Sequence, residues 1–144
     1  MKKLHSFVKK GAELMQKVDV TDMSDELLKM LLTYKDDITE ATKEAVDEVS
    51  NGVMNEIKSH ITFDDKKYSR SFELKTIYDN KRGKYVIWHV KDGMYRLTHL
   101  LELGHLTRDG RTQSRKYPHV VYGQEYAKNN LERVIKEKIA QCNN

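Results

Sequence analysis

Between Ile38 and Ile57 apolar residues recur every three or four positions, at Ala41, Ala45, Val49 and Val53, and shortly afterwards the spacing collapses to two. That change of period constrains the fold more than any other feature. Spacing of three and four lays one apolar stripe along a helix, whereas alternation lays one apolar face on a strand. Upstream, Leu27, Leu28, Leu31 and Leu32 extend the helical pattern, and Ser24 before Asp25 and Glu26 is suited to cap it. Asp37 with Glu40 three residues later resembles a capping box, so the spacing predicts either a helix of about nine turns or two in series. Gly52, inside the stripe, costs roughly 1 kcal/mol against Ala.

Over residues 70–78, Phe72, Leu74, Thr76 and Tyr78 alternate with Ser71, Glu73, Lys75 and Ile77. Residues 84–91 alternate again, with Tyr85, Ile87 and His89 against Val86, Trp88 and Val90. The five residues between, Asp79-Asn80-Lys81-Arg82-Gly83, carry turn chemistry, so the two runs predict a β-hairpin. Asp92-Gly93 ends the second strand. Leu97, Leu100 and Leu101 then predict a short helix over 95–103, packed on the hairpin by those leucines and closed by Gly104. A polar stretch follows to Pro118. His119-Val120-Val121 is expected to add a short third strand, and Ala127, Leu131, Val134, Ile135 and Ile139 predict a final helix from about Gln124 to Gln141. The expected fold is α+β: a long N-terminal helix, a small antiparallel sheet, a short helix and a C-terminal helix. Residues 24–144 form one domain, and residues 1–23 form an extension whose Leu4, Phe7, Val8, Leu14 and Met15 suit a helix or an arm.

Composition narrows the function classes. The one cysteine, Cys142, cannot make an internal disulfide, which fits a reducing compartment. The lysines at the N-terminus precede no apolar run, so neither a signal peptide nor a membrane span is expected. The net charge of +4 hides a division. Residues 1–18 carry +4, residues 19–60 carry four Lys against eleven acids for −7, residues 61–118 carry thirteen bases against seven acids for +6, and the remainder adds +1. Opposite charge on successive parts suits packing between copies, or a basic face near nucleic acid.

Three chemical readings compete with assembly. His89, His99, His105 and His119 raise the question of a metal, but no pair has the i, i+4 spacing of a helical zinc motif and no cysteine is near, so no metal and no cofactor is assigned. A small RNA-cleaving enzyme would use His99, Glu102, Arg108 and His119 as general base and phosphate clamp. A nucleic-acid-binding module would stack bases on Trp88, Tyr85 and Tyr95. Neither has support beyond residue type, and Trp88 on an alternating strand reads better as core or interface. No catalytic residue is assigned.

The string Tyr95-Arg96-Leu97-Thr98-His99-Leu100-Leu101-Glu102-Leu103-Gly104-His105, with the basic loop ending in Tyr117-Pro118-His119, resembles a family of tailed-bacteriophage tail components. These are the head–tail joining or tail-completion proteins, also called minor capsid proteins. The order of parts is similar over about residues 24–141, with departures at residues 62–68 and at Tyr122-Gly123. Leu97, Thr98, His99, Leu100, Leu101, Glu102, Gly104, His105 and Pro118 carry the likeness. The resemblance implies a structural virion protein rather than an enzyme, forming a ring, a hexamer, where tail meets neck. Implied partners are further copies, a tail-tube or tail-terminator protein and a head connector or adaptor protein. DNA would pass through the lumen, and assembly would take place in the host cytoplasm without a membrane.

The loop with Arg108, Arg111, Arg115, Lys116, Tyr117 and His119 is long and basic. It is expected to gain order from a neighbouring subunit, against an acidic helix face comprising Asp36, Asp37, Glu44, Asp47 and Glu48. Glu102 and His99, three apart, are expected side by side on their helix. Tyr117, Tyr122 and Tyr126 suit either a contact between subunits or the core.

Overall fold

The computed structural model describes residues 23–63 and 66–142; the expected arm at residues 1–18 lies outside the described residues. The architecture is α+β, as the periodicity predicts. Helix α1 (Met23–Ser59) is a single element of 37 residues, about 55 Å long at 1.5 Å per residue. No break occurs at Asp37–Glu40. A short helix, α2 (Lys66–Arg70), leads into β1 (Phe72–Asn80), which pairs antiparallel with β2 (Gly83–Val90). Helix α3 (Tyr95–Leu103) and helix α4 (Val120–Cys142) complete the order.

Three expectations are corrected here. The hairpin turn is two residues, Lys81 and Arg82, because Asn80 pairs with Gly83. The Asn80 side chain accepts from the Arg82 amide at 2.8 Å, and Gly83 takes φ 148°, a conformation that favours glycine. The sheet has two strands among the described residues, since Val120 and Val121 begin α4 instead of adding a third. And Leu97, expected in the core, is 37% exposed; of the three leucines, Leu101 is the one packed against the main apolar cluster.

Two clusters make the core. Ile57, Tyr68, Phe72 and Val90 are buried together, joined by Val53, Met54, Trp88 and Leu101. Ala45, Val49 and Val134 form the second, with Tyr126, Ala127 and Ile135 against them. Helices α1 and α4 run antiparallel along most of α4: Gly123 meets Ile57, Val134 meets Ala45 and Val49, and Lys138 reaches Glu44 and Glu48. The close approach depends on glycine. A Cβ at Gly52 would lie 2.3 Å from Tyr126 Cε1, so Gly52 serves a purpose that its helix propensity hides.

Helix α4 ends level with Asp37, whose carbonyl oxygen lies 3.8 Å from Cys142 Sγ. The first four turns of α1 therefore run past α4. Leu27, Leu28, Leu31 and Leu32 sit on this overhang, each 45–55% exposed. Among the described residues no helix is long and apolar enough to cross a membrane.

Candidate functional site

The segment quoted above for its phage likeness builds a latch between α3 and the start of α4. Helix α4, like every α-helix, begins with four N–H groups that lack intrahelical acceptors, and three of them find acceptors on one side chain. Glu102, on α3, supplies the acceptors. Its Oε2 takes the amides of His119 at 2.9 Å and Val120 at 3.1 Å, and its Oε1 takes Val121 at 3.0 Å. Burial works against the charged carboxylate, but those three N–H groups and the nearby His119 outweigh it, so the Glu102 pKa falls below its ordinary value of 4.5. The same charge favours the positive end of the α4 dipole.

His119 lies at the centre, with 0% of its side chain exposed. Nδ1 is 2.7 Å from the Tyr117 carbonyl and 3.2 Å from Glu102 Oε2. Both oxygens only accept, so the proton is assigned to Nδ1. Nε2 then faces the Tyr68 hydroxyl at 2.9 Å, and that hydroxyl lies 3.0 Å from Thr98 Oγ1. Tyr68 is itself buried, which pushes its pKa up and keeps the hydroxyl protonated. The ring packs edge-on to Tyr68 and stacks parallel to Phe72 at 6.3 Å. Tyr68 was not singled out by sequence: it stands on a five-residue helix too short to show a period.

Gly104 closes α3 with φ 72°, and a Cβ there would sit 3.0 Å from the Ser114 carbonyl. Beyond it the loop doubles back on itself. Ser114 N–H donates to the His105 carbonyl at 2.7 Å, Thr107 N–H to the Thr112 carbonyl at 2.7 Å, and Leu106 bridges Gln113. Asp109 holds the tip, accepting from the Thr107 hydroxyl and from the amides of Arg111 and Thr112. His105 Nδ1 lies 3.0 Å from Ser114 Oγ. The loop thus carries its own framework and is tied at the end by Tyr117 N–H to the Leu101 carbonyl at 2.7 Å.

This geometry sorts the sequence-derived candidates. Glu102 and His119 come together, but as buried supports. His99 is exposed on α3 and does not pair with Glu102, which turns toward α4. Arg108 stands exposed on the loop tip, so the constellation of His99, Glu102, Arg108 and His119 does not converge. Among the described residues no group of three His, Cys, Asp or Glu side chains could hold a metal ion. Thr98 joins the latch, Leu100 is half-buried, and exposed Pro118 sets the step into His119.

The acidic face also divides. Glu48 and Glu44 are engaged within the chain by Lys138, at 3.1 and 3.9 Å. Asp47 takes Lys84 at 2.6 Å, and Asp79 gathers Lys43 at 2.8 Å and Lys84 at 3.4 Å, tying the hairpin to α1. Asp47 and Asp79 raise the Lys84 pKa, chiefly through the Asp47 hydrogen bond. Asp36 and Asp37, by contrast, make no ion pair among the described residues, and neither do Arg108, Arg111, Arg115 and Lys116. Arg115 instead lies 5.4 Å from the Tyr117 ring centroid. Tyr122 stacks on His60 at 3.7 Å and Tyr126 covers Gly52, so both serve the interior.

One further concavity, of about 350 Å³, lies between the two long helices and the hairpin; Val46, Val49, Val53, Leu74, Trp88 and Leu131 line it. Comparison with known proteins brings in no relative: no family model, no curated protein and no solved structure matches this chain.

Proposed function

We propose that this chain is a structural subunit of a tailed bacteriophage, a tail-completion or head–tail joining protein that works by self-assembly into a ring. The observation that carries the reading is the placement of Glu102. Its carboxylate accepts three backbone N–H groups at the head of α4, so one of the four residues that an RNA-cleaving enzyme would use is spent on architecture. His119, at the end of the basic loop, has no exposed side-chain surface through which to meet a substrate. What the latch achieves is mechanical: it fixes α3 to α4, and with them the two ends of the basic loop.

In this reading the partners are further copies, a tail-tube or tail-terminator protein on one side and a head connector on the other. The virion neck is its destination, and DNA crosses its lumen in passing. Native mass spectrometry across concentrations tests the self-assembly, with a discrete multimer expected and a strict monomer at all concentrations fatal to it. Interrupting the gene in the phage that carries it tests the role: filled heads and unjoined tails are expected, and fully joined virions would refute it. Turnover of RNA by the purified chain, lost in His99→Ala, would favour the enzyme reading instead.

A further inference from the structure

Among the described residues, leucines stand exposed at two ends of the fold. At one, the α1 overhang presents Leu27, Leu28, Leu31 and Leu32, each about half exposed, on a helix that has outrun α4. Four acids, Asp25, Glu26, Asp36 and Asp37, flank them against two lysines, Lys29 and Lys35. At the other end, beside the C-terminus of α1, stand Leu103 and Leu106, 65% and 66% exposed. Around them the loop carries Arg108, Arg111, Arg115 and Lys116 against the single acid Asp109. Phe63 and Tyr117, with ring centroids 5.3 Å apart, place this loop at the His60 end of the long helix.

We propose that the leucine overhang of one copy docks on the Leu103–Leu106 basic loop of a second copy. The inference rests on the reading of the chain as a self-assembling subunit, and deepens it by naming the two surfaces. Each surface is apolar at its centre with charge at its rim, and the rims have opposite sign, which is the arrangement that favours and orients a contact between proteins. The two surfaces cannot meet within one chain. They lie toward opposite ends of α1: at 1.5 Å per residue, the stretch from Leu32 to the helix end at Ser59 already spans about 40 Å along the axis. Contact between unlike surfaces of identical copies is head-to-tail, and such a contact propagates until the rotation closes it into a ring. The acids involved differ from those expected from sequence: Glu44, Asp47 and Glu48 are held by Lys138 and Lys84, which leaves Asp36 and Asp37 for the neighbour.

The test is the oligomer population of the full chain by native mass spectrometry and sedimentation, for wild type and three variants. L28E/L31E alters the overhang, R111E/R115E the loop, and D36K/D37K/R111E/R115E exchanges the charges of both. Circular dichroism should report the wild-type fold for all, since every altered side chain is exposed. The first two variants are expected to assemble at least tenfold more weakly than wild type, and the charge exchange to recover most of that loss. A wild type that never assembles would remove both the self-assembly reading and this inference. A wild type that assembles while either of the first two variants matches it, or while the charge exchange rescues nothing, would overturn the pairing alone. The same holds if L28E/L31E fails but R111E/R115E does not, which would give the leucines to residues 1–18 or to a second overhang.

Discussion

The Tyr126 ring fills the space where a side chain at residue 52 would begin: a Cβ on Gly52 would come within 2.3 Å of Tyr126 Cε1. Three residues before Tyr126 on the same helix stands Gly123, and a Cβ there would lie 2.5 Å from Ile57 Cγ1 and 3.1 Å from Val53 Cγ1. Ile57 is buried and cannot move aside, whereas Tyr126 is half-buried and can turn its ring outward. Overpacking a site like that at Gly123 costs about 1–3 kcal/mol, against a helix-propensity gain of about 1 kcal/mol for Ala. Gly123→Ala is therefore expected to lower the melting temperature by several degrees, and Gly52→Ala to lower it less. Thermal melts of both variants by circular dichroism check the order.

The Glu102 latch carries a pH signature. Its folded pKa lies below the ordinary 4.5, so its contribution to stability is fully present above that value and is lost as pH falls through the lower, folded pKa. Glu102→Gln keeps the shape but removes the charge, and Gln has one accepting oxygen for three N–H groups. A loss of roughly 1–2 kcal/mol at neutral pH is expected. The gap between wild type and variant should narrow steadily below pH 4.5. Urea unfolding at a series of pH values measures it, and a gap that widened in acid would show that the carboxylate does not stabilise the helix start.

Tyr68 is the least conspicuous member of the latch and among the most buried. Tyr68→Phe retains the ring packing on Phe72 and His119 but deletes the hydroxyl between His119 Nε2 and Thr98 Oγ1. An unpartnered buried acceptor costs roughly 1–3 kcal/mol. The variant should keep the far-ultraviolet spectrum of the wild type and unfold at lower denaturant concentration. An unchanged midpoint would mean that water or a shifted Thr98 replaces the hydroxyl at no cost.

What the sequence discloses and what it conceals divide along one physical line. Helix α1, the hairpin and the body of α4 are legible because their periods record which face is buried. Val120 and Val121 look like strand residues because β-branched pairs favour strands, and the cause of their helical state lies in Glu102, eighteen and nineteen positions earlier. A remote carboxylate that starts a helix leaves no local mark. Leu97 failed for a related reason: spacing identifies an apolar stripe but not whether a neighbour covers it. The acidic face of α1 was visible as charge, yet its division between engaged Glu44, Asp47 and Glu48 and open Asp36 and Asp37 depends on lysines at 84 and 138. His119 was singled out as a candidate, but only the packing of Tyr68 and Phe72 reveals that it is sealed.

The shape of the basic loop turns on one side chain. Asp109 accepts from the Thr107 hydroxyl and from the amides of Arg111 and Thr112, while Gly110 takes φ 67°, so the tip is a turn built around a carboxylate. Those donors, the Thr107 hydroxyl foremost and then the Arg111 amide, hold the Asp109 pKa below its ordinary 3.8. The turn should therefore be intact above that pH and loosen as pH falls through the lower, folded value. Asp109→Ala removes the acceptor at every pH. Because the loop is exposed and touches little of the core, the melting temperature should hardly change. Trypsin, which cuts after Arg108 and Arg111, should cleave the variant markedly faster than the wild type under native conditions. Equal cleavage rates would mean that the ladder of bonds between His105 and Ser114 and between Thr107 and Thr112 fixes the loop without the carboxylate.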